Sequence, residues 1–239
     1  MNKAKYDGME HPVRQVTDLK DIIVSSCSMF KDDTAFLEKD KPGGTFQPVS
    51  YAKIKDDMDA LGTKLIDMGL KGCKIAVVGE TSYHWFLTYF AAVCGVGVIV
   101  PLDKNLPQDE LKSLVERSHA KAIVFSNRME KTVKPLFDKP GEIEYFISMS
   151  ESENEKVLSL VKLIEEGNKL LREGVRNFVD AEINPQDMAS LLFTSGTTGK
   201  SKGVMLSHKN IAANVVNVSK RVTLDKGCVV LSILPVHHT

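Results

Sequence analysis

Behind the apolar pair Leu191-Leu192 the chain reads Phe193-Thr194-Ser195-Gly196-Thr197-Thr198-Gly199-Lys200-Ser201-Lys202-Gly203, with five hydroxyl side chains, three glycines and two lysines. These residue types suit a polyphosphate. Glycines let backbone N–H groups turn toward an anion, hydroxyls donate further hydrogen bonds, and ammonium groups supply charge. The plain alternative is a flexible Ser/Gly/Thr loop. The apolar segments on both sides set this one within a buried sheet instead. Thr198-Gly199-Lys200-Ser201 also fits the end of a Walker A loop, G-x-x-x-x-G-K-[ST]. That pattern needs glycine where Thr194 stands and a helix directly after the loop. Gly203-Val204-Met205-Leu206 reads as a second short strand, and only at Ser207 does a helical pattern open, with Ile211, Val215, Val218 and Val222 on one face. The expected device is strand–loop–strand.

Other chemistry-bearing residues give weaker signals. His237 and His238 are adjacent, and neighbours in an extended chain point to opposite faces, so a two-histidine metal half-site is disfavoured. Lys202 is open to two readings, a phosphate contact or a pair with a structural carboxylate. His208, beside a helix start, reads as a packing or capping residue; His84 and His119 carry no signal, and Trp85 reads as core. Glu151, Glu153, Glu155, Glu165 and Glu166 read as the solvated face of a helix, not as a metal site.

The elements that must position the loop follow from periodicity. Ala35 to Glu38 and Thr45 to Val49 flank Lys41-Pro42-Gly43-Gly44 and form a predicted hairpin. Ser50 is an N-cap for a helix with Ile54, Met58, Leu61, Leu65 and Met68 inward and Gly69 as its stop. Strands are expected at Ile75–Val78, Val96–Val100, Ala122–Phe125, Tyr145–Ile147, Ser190–Phe193 and Val229–Leu234. Pro107 opens a helix with Leu111, Leu114 and Val115 inward, and Val157, Leu160, Val161, Ile164 and Leu171 mark another. Repeated β-α-β order with short apolar strands predicts an α/β fold, a doubly wound, mostly parallel sheet preceded by an N-terminal β-hairpin and helix. Two regions are expected. Residues 1–70 hold the hairpin and helix, and residues 71–239 hold the alternating strands and helices with the hydroxyl- and glycine-rich loop.

Composition narrows the function. Lys and Arg number 31 and so do Asp and Glu, which gives no reason to expect nucleic acid or an anionic membrane as partner. Cys27, Cys73, Cys94 and Cys228 show no metal or redox spacing and read as reduced thiols of a cytoplasmic protein. Met1 to Lys20 is polar, lacks an apolar run and does not read as a secretory signal. Thr81 to Leu102 lacks Asp, Glu, Lys and Arg, but Gly95, Gly97 and Pro101 favour a buried helix followed by a central strand over a membrane span.

The segment Phe193 to Gly203 resembles the phosphate-loop signature of the adenylate-forming enzymes: acyl- and aryl-CoA synthetases, adenylation domains of peptide synthetases, and luciferases. Ser201 stands where the commonest form has proline. Leu234-Pro235-Val236-His237-His238-Thr239 is similar to the strand end that enters the acyl site, most of all in the fatty acyl-CoA ligases. Gly95 to Asp103 is similar to the strand after the first helix of the nucleotide domain. The resemblance spans about Phe36 to Thr239.

It implies an acyl-CoA synthetase as the parent protein. A carboxylic acid, a fatty acid by this likeness, attacks the α-phosphorus of ATP to give acyl-AMP and pyrophosphate, and coenzyme A then takes the acyl group. ATP, Mg²⁺ and coenzyme A are the implied cofactors and co-substrates. Thr194, Ser195, Gly196, Thr197, Thr198, Gly199, Lys200 and Lys202 would hold the phosphates, Lys200 would act in catalysis, and His238 would line the junction of ATP and acyl pockets. An acyl-carrier-protein ligase or a peptide-synthetase adenylation domain stays open as an alternative. The family pattern continues for roughly two to three hundred further residues, so by this likeness the chain resembles an N-terminal portion, in which residues 71–239 would be the nucleotide-binding subdomain and residues 1–70 would support a neighbouring one; a non-catalytic nucleotide-binding module is the alternative for the chain alone. Peripheral membrane contact and self-association through an exposed subdomain face also stay open.

Overall fold

The computed structural model describes residues 10–39, 43–194, 201–222 and 224–238. Its centre is a seven-stranded sheet, made of β3 (Lys74–Val78), β4 (Val98–Leu102), β5 (Ala120–Phe125), β6 (Tyr145–Ser148), β7 (Val157–Ser159), β8 (Met188–Thr194) and β9 (Lys202–Ser207), in the order β7-β6-β5-β3-β4-β8-β9. Every pair is parallel except β8–β9. Central strands such as β3 and β5 read as continuous apolar runs because both faces are covered.

The chain steps from β3 to β4 on one side and from β4 back across to β5 on the other. Right-handed crossovers in opposite directions place helices on opposite faces. One layer holds α1 (Leu19–Met29), α2 (Tyr51–Asp67), α3 (Tyr83–Ala91) and α6 (Leu160–Arg172), packed with Trp85, Leu87, Met58 and Phe178 in one core cluster. The other holds α4 (Gln108–Ser118) and the short α5 (Glu130–Val133), with Leu111, Val115, Val133 and Phe125. The doubly wound, mostly parallel architecture is the expected one.

Local chemistry explains the element ends. Ser50 caps α2 by accepting from the Lys53 N–H at 3.1 Å. The helix stops at Gly69, whose φ of +86° is left-handed, and Leu70 N–H reaches back to the Leu65 carbonyl at 3.1 Å. The predicted hairpin forms as β1 (Thr34–Lys39) and β2 (Phe46–Ser50), antiparallel to each other; Lys41 and Pro42 lie outside the described residues. It is pinned by Glu38, which accepts from the Tyr83 N–H at 2.8 Å, while the Tyr83 hydroxyl donates to the buried Asp57 at 2.8 Å. Burial first, then Asp57, pushes the Tyr83 phenol far up.

Several expectations need correction. A helix, α1, precedes the hairpin; Lys20 fastens it by donating to the carbonyls of Phe178, Val179 and Ala181 at 3.2, 2.9 and 2.6 Å. Val157 belongs to the edge strand β7, so the following helix begins at Leu160, Glu151, Glu153 and Glu155 precede it, and Val161 is exposed. Val96 ends a π-type turn after α3, and β4 begins at Val98. Val229–Leu234 forms no strand: among the described residues no neighbour pairs with it, and an extended segment without a partner leaves its ladder groups to water. Its side chains are exposed, Leu231 by 78%. The chain then turns inward at Val236–His238, a single 3₁₀ turn rather than a strand end.

Cys27 and Cys94 are buried, and burial raises both thiols above their ordinary range. They are expected to resist alkylation in the native state, with the half-exposed Cys73 and Cys228 reacting first. A thiol titration with mass mapping checks this; early labelling of Cys94 would contradict it.

Candidate functional site

Parallel strands bring their carboxyl ends to one edge of the sheet, and open α/β sheets bind ligands in the crevice outside that edge. β8 runs parallel to β4, with Ile99 opposite Ser190, so the segment after Thr194 starts at this edge. β9 returns antiparallel, with Thr194 opposite Lys202, Phe193 opposite Gly203 and Leu191 opposite Met205. Two strands flank the segment, as the sequence predicts, and the next described element after it is β9, not a helix. Ser195, Gly196, Thr197, Thr198, Gly199 and Lys200, six of the predicted phosphate contacts, lie outside the described residues. Thr194 and Lys202, which flank them, are described; both are exposed at the sheet edge. Among the described residues Lys202 pairs with no carboxylate.

The stem of this hairpin is tied down by α4. Arg117 donates to the Ser201 carbonyl at 2.7 Å, and its guanidinium carbon lies 5.4 Å from the centre of the Phe193 ring. The Ser201 hydroxyl donates to Glu110 at 3.4 Å. Sequence reasoning missed Arg117 and Glu110, because charged residues on an exposed helix face carry no local mark of what they touch.

The second predicted site segment arrives at the neighbouring strand. Val236 is buried in the core, and His237 Nε2 lies 3.7 Å from Asp103 Oδ2, just past the end of β4. Asp103 also accepts from the Asn105 N–H at 2.9 Å, which fixes the turn there. His237 thus has a structural partner. His238 closes the same turn, although its side chain lies outside the described part. The fold therefore brings the loop after β8 and the 236–238 turn to the carboxyl ends of adjacent strands. A further polar group gathers at the same edge, where Ser126 donates to Glu80 at 2.6 Å and Ser148 to Asn127 at 3.0 Å.

Ser207 caps α7 (His208–Ser219) in a capping box with Asn210, which locks the chain direction after β9. The buried face of α7 is His208, Ala212 and Val216; the predicted stripe is displaced, with Val215, Val218 and Val222 exposed. His208 is a packing residue, and its Nδ1 is buried without a hydrogen-bond partner among the described residues. Burial lowers its pKa, opposed by Asp18 and Asp187. A histidine titrating lower in the folded than in the unfolded state stabilises the protein above about pH 6.5, and that contribution is lost as pH falls through the lowered value. Unfolding midpoints in urea are expected to fall between about pH 7 and pH 5, and His208→Gln to flatten part of that slope. An equal slope in the variant would show that His208 is not responsible.

His119 takes a left-handed conformation, φ 55°, at the end of α4, and pairs with Glu142 at 2.6 Å. No described helix is long and apolar enough to cross a membrane; Thr81 to Leu102 is α3, its π-type turn and β4.

Known proteins share this arrangement. The chain is 27% identical to long chain acyl-CoA synthetase 6, peroxisomal, of Arabidopsis thaliana, over 98% of its own length and 32% of the relative. It is 23% identical to long-chain-fatty-acid–CoA ligase 1 of Cavia porcellus, over 83% of this chain and 30% of that one. It therefore spans about a third of the length of these curated relatives. Among solved structures, a long-chain-fatty-acid-CoA ligase of Archaeoglobus fulgidus superposes with a TM-score of 0.71 at 22% identity, over 91% of this chain and 42% of that one. The family model described as AMP-binding enzyme matches residues 24–239. With its hairpin set at the carboxyl edge of a doubly wound sheet and that match over nearly its whole length, the chain belongs to the AMP-binding enzyme family.

Proposed function

We infer that this chain supplies the polyphosphate side of an acid-activating site. In this reading a carboxylate attacks the α-phosphorus of ATP, pyrophosphate leaves, and the acyl-AMP passes its acyl group to coenzyme A. The observation that carries it is the β8–β9 pair, whose ends Thr194 and Lys202 flank a hydroxyl-, glycine- and lysine-rich segment of the sequence and lie at the carboxyl edge of the sheet, where ligands of such folds bind. Negative charge builds on the departing pyrophosphate. N–H groups around Gly196 and Gly199, the hydroxyls of Thr194, Ser195, Thr197 and Thr198, and the ammonium groups of Lys200 and Lys202 offset it. His238 lines the junction toward the acid. Residues 71–239 act as the nucleotide subdomain, and residues 1–70 support a neighbouring one.

A fatty acid is the favoured substrate, because relatives with this likeness are named for long-chain fatty acids. Mg²⁺ would enter as the ATP–Mg²⁺ complex, held by the phosphates, and would neutralise part of their charge. A cytoplasmic location fits the unpaired cysteines, and cell fractionation decides it, since one relative is named peroxisomal. A second reading, transfer to a carrier protein, is favoured by a chloroplastic acyl-carrier-protein ligase of Arabidopsis thaliana at 25% identity.

The test is carboxylate-dependent exchange of labelled pyrophosphate into ATP, run across a panel of acids on the longest natural polypeptide that contains these residues. Exchange stimulated by fatty acids, with AMP as product, is expected. ADP as product, or exchange indifferent to carboxylates, would refute the reading. Coenzyme A against carrier protein as acceptor then separates the two versions.

A further inference from the structure

One of the two helical layers makes side-chain contacts with the loop end of the hairpin stem. α4 lies on that side, and Glu110 and Arg117, about two turns apart along it, both meet Ser201, the last residue before β9. Arg117 makes two contacts with one planar group. Its N–H donates to the Ser201 carbonyl at 2.7 Å, and its guanidinium carbon lies over the Phe193 ring, 5.4 Å from the ring centre. Phe193 ends the incoming arm, and Ser201 leads into the outgoing one. Arg117 therefore holds both arms of the hairpin against a helix that is itself buried through Leu111, Leu114 and Val115. Gly203, opposite Phe193, leaves room for this packing: a Cβ there would come within 3.2 Å of Leu191 Cδ1 and 3.6 Å of Phe193 Cε1.

We propose that Arg117 is a positioning residue for the phosphate loop, setting the outgoing end at Ser201 against the incoming end at Phe193 so that a polyphosphate meets a loop whose two ends are already fixed. This rests on the reading of residues 194–202 as a phosphate loop. Pre-setting the ends moves an ordering cost out of binding and into folding. Arginine suits the role because a guanidinium stacks on a ring and donates in its own plane at once, whereas a lysine ammonium is a point charge that does one or the other. Glu110 accepts the Ser201 hydroxyl and orients the residue from the other side. Arg117 does not touch the reacting atoms in this scheme, and its effect is confined to ligands with a polyphosphate.

The experiment titrates ATP–Mg²⁺, pyrophosphate and adenosine separately into the purified protein and its variants Arg117→Ala and Arg117→Lys, with thermal unfolding of each. Arg117→Ala is expected to weaken ATP and pyrophosphate about tenfold and leave adenosine unchanged, with the melting temperature lowered by less than about 2 °C. Arg117→Lys is expected to recover part of the loss. Equal weakening of adenosine and ATP would mark a general structural role and overturn the proposal. If Arg117→Ala does not fold, Arg117→Lys decides by the same pattern: a loss confined to polyphosphates supports the proposal and unchanged affinities overturn it. ATP binding that neither variant alters overturns this proposal alone. A parent protein that binds no ATP overturns the phosphate-loop reading and the proposal together.

Discussion

In the proposed reaction of the longest natural polypeptide that contains these residues, Lys200→Ala is expected to slow acyl-adenylate formation about 30- to 1000-fold, a loss of about 2–4 kcal/mol in transition-state stabilisation. The basis is where charge develops. The acid end of the reaction stays anionic or becomes neutral, while the departing pyrophosphate gains charge. A lysine on the polyphosphate side therefore acts on the barrier and not on binding of the acid. Lys200 lies within the connection between Thr194 and Lys202, whose strands the sheet edge holds in register. The check is a single-turnover measurement of acyl-AMP formation, beside equilibrium binding of the carboxylic acid. A normal single-turnover rate would dismiss the role, and so would a loss seen only in acid affinity.

Gly167→Ala is expected to cost about 2 kcal/mol or more of stability, even though alanine is the better helix former by about 1 kcal/mol. α2 and α6 cross where Gly167 meets Ala60, and a Cβ at 167 would stand 1.9 Å from the Ala60 carbonyl oxygen. That obstacle is backbone, so relief requires two helices to part, and the core between them includes Met58, Leu61, Leu163 and Ile164. The salt bridge of Lys64 with Glu166, at 3.1 Å, crosses the same seam. Urea unfolding of the variant checks this. A change below about 0.5 kcal/mol would show that the seam yields freely. Gly62→Ala is a useful comparison: its Cβ would meet the Phe178 ring at 2.3 Å, a side chain rather than backbone, in an equally closed core.

Periodicity and caps made much of the framework legible. Ser50 and Ser207 each stand before a helix and accept from the backbone N–H three residues on, and Gly69 ends α2 in a left-handed conformation. β3, β4, β5 and β8 are short apolar runs between turn residues, and their alternation with helices already implied a parallel sheet. The hydroxyl-, glycine- and lysine-rich segment that follows β8 stands out in the sequence because its chemistry is concentrated in consecutive residues.

Tertiary structure decided what local pattern leaves degenerate. β7 is three residues long, too short to show a period, and exists because β6 offers an open edge. Val229–Leu234 has strand composition without a strand, since no described neighbour accepts its ladder. α7 buries His208, Ala212 and Val216 because its surroundings, not its most apolar stripe, choose the inward side. Caps and periods act over three to four residues and are written in the local sequence. The Arg117–Ser201 contact joins residues 84 positions apart, so it exists only once β4, β5 and β8 have taken their order in the sheet.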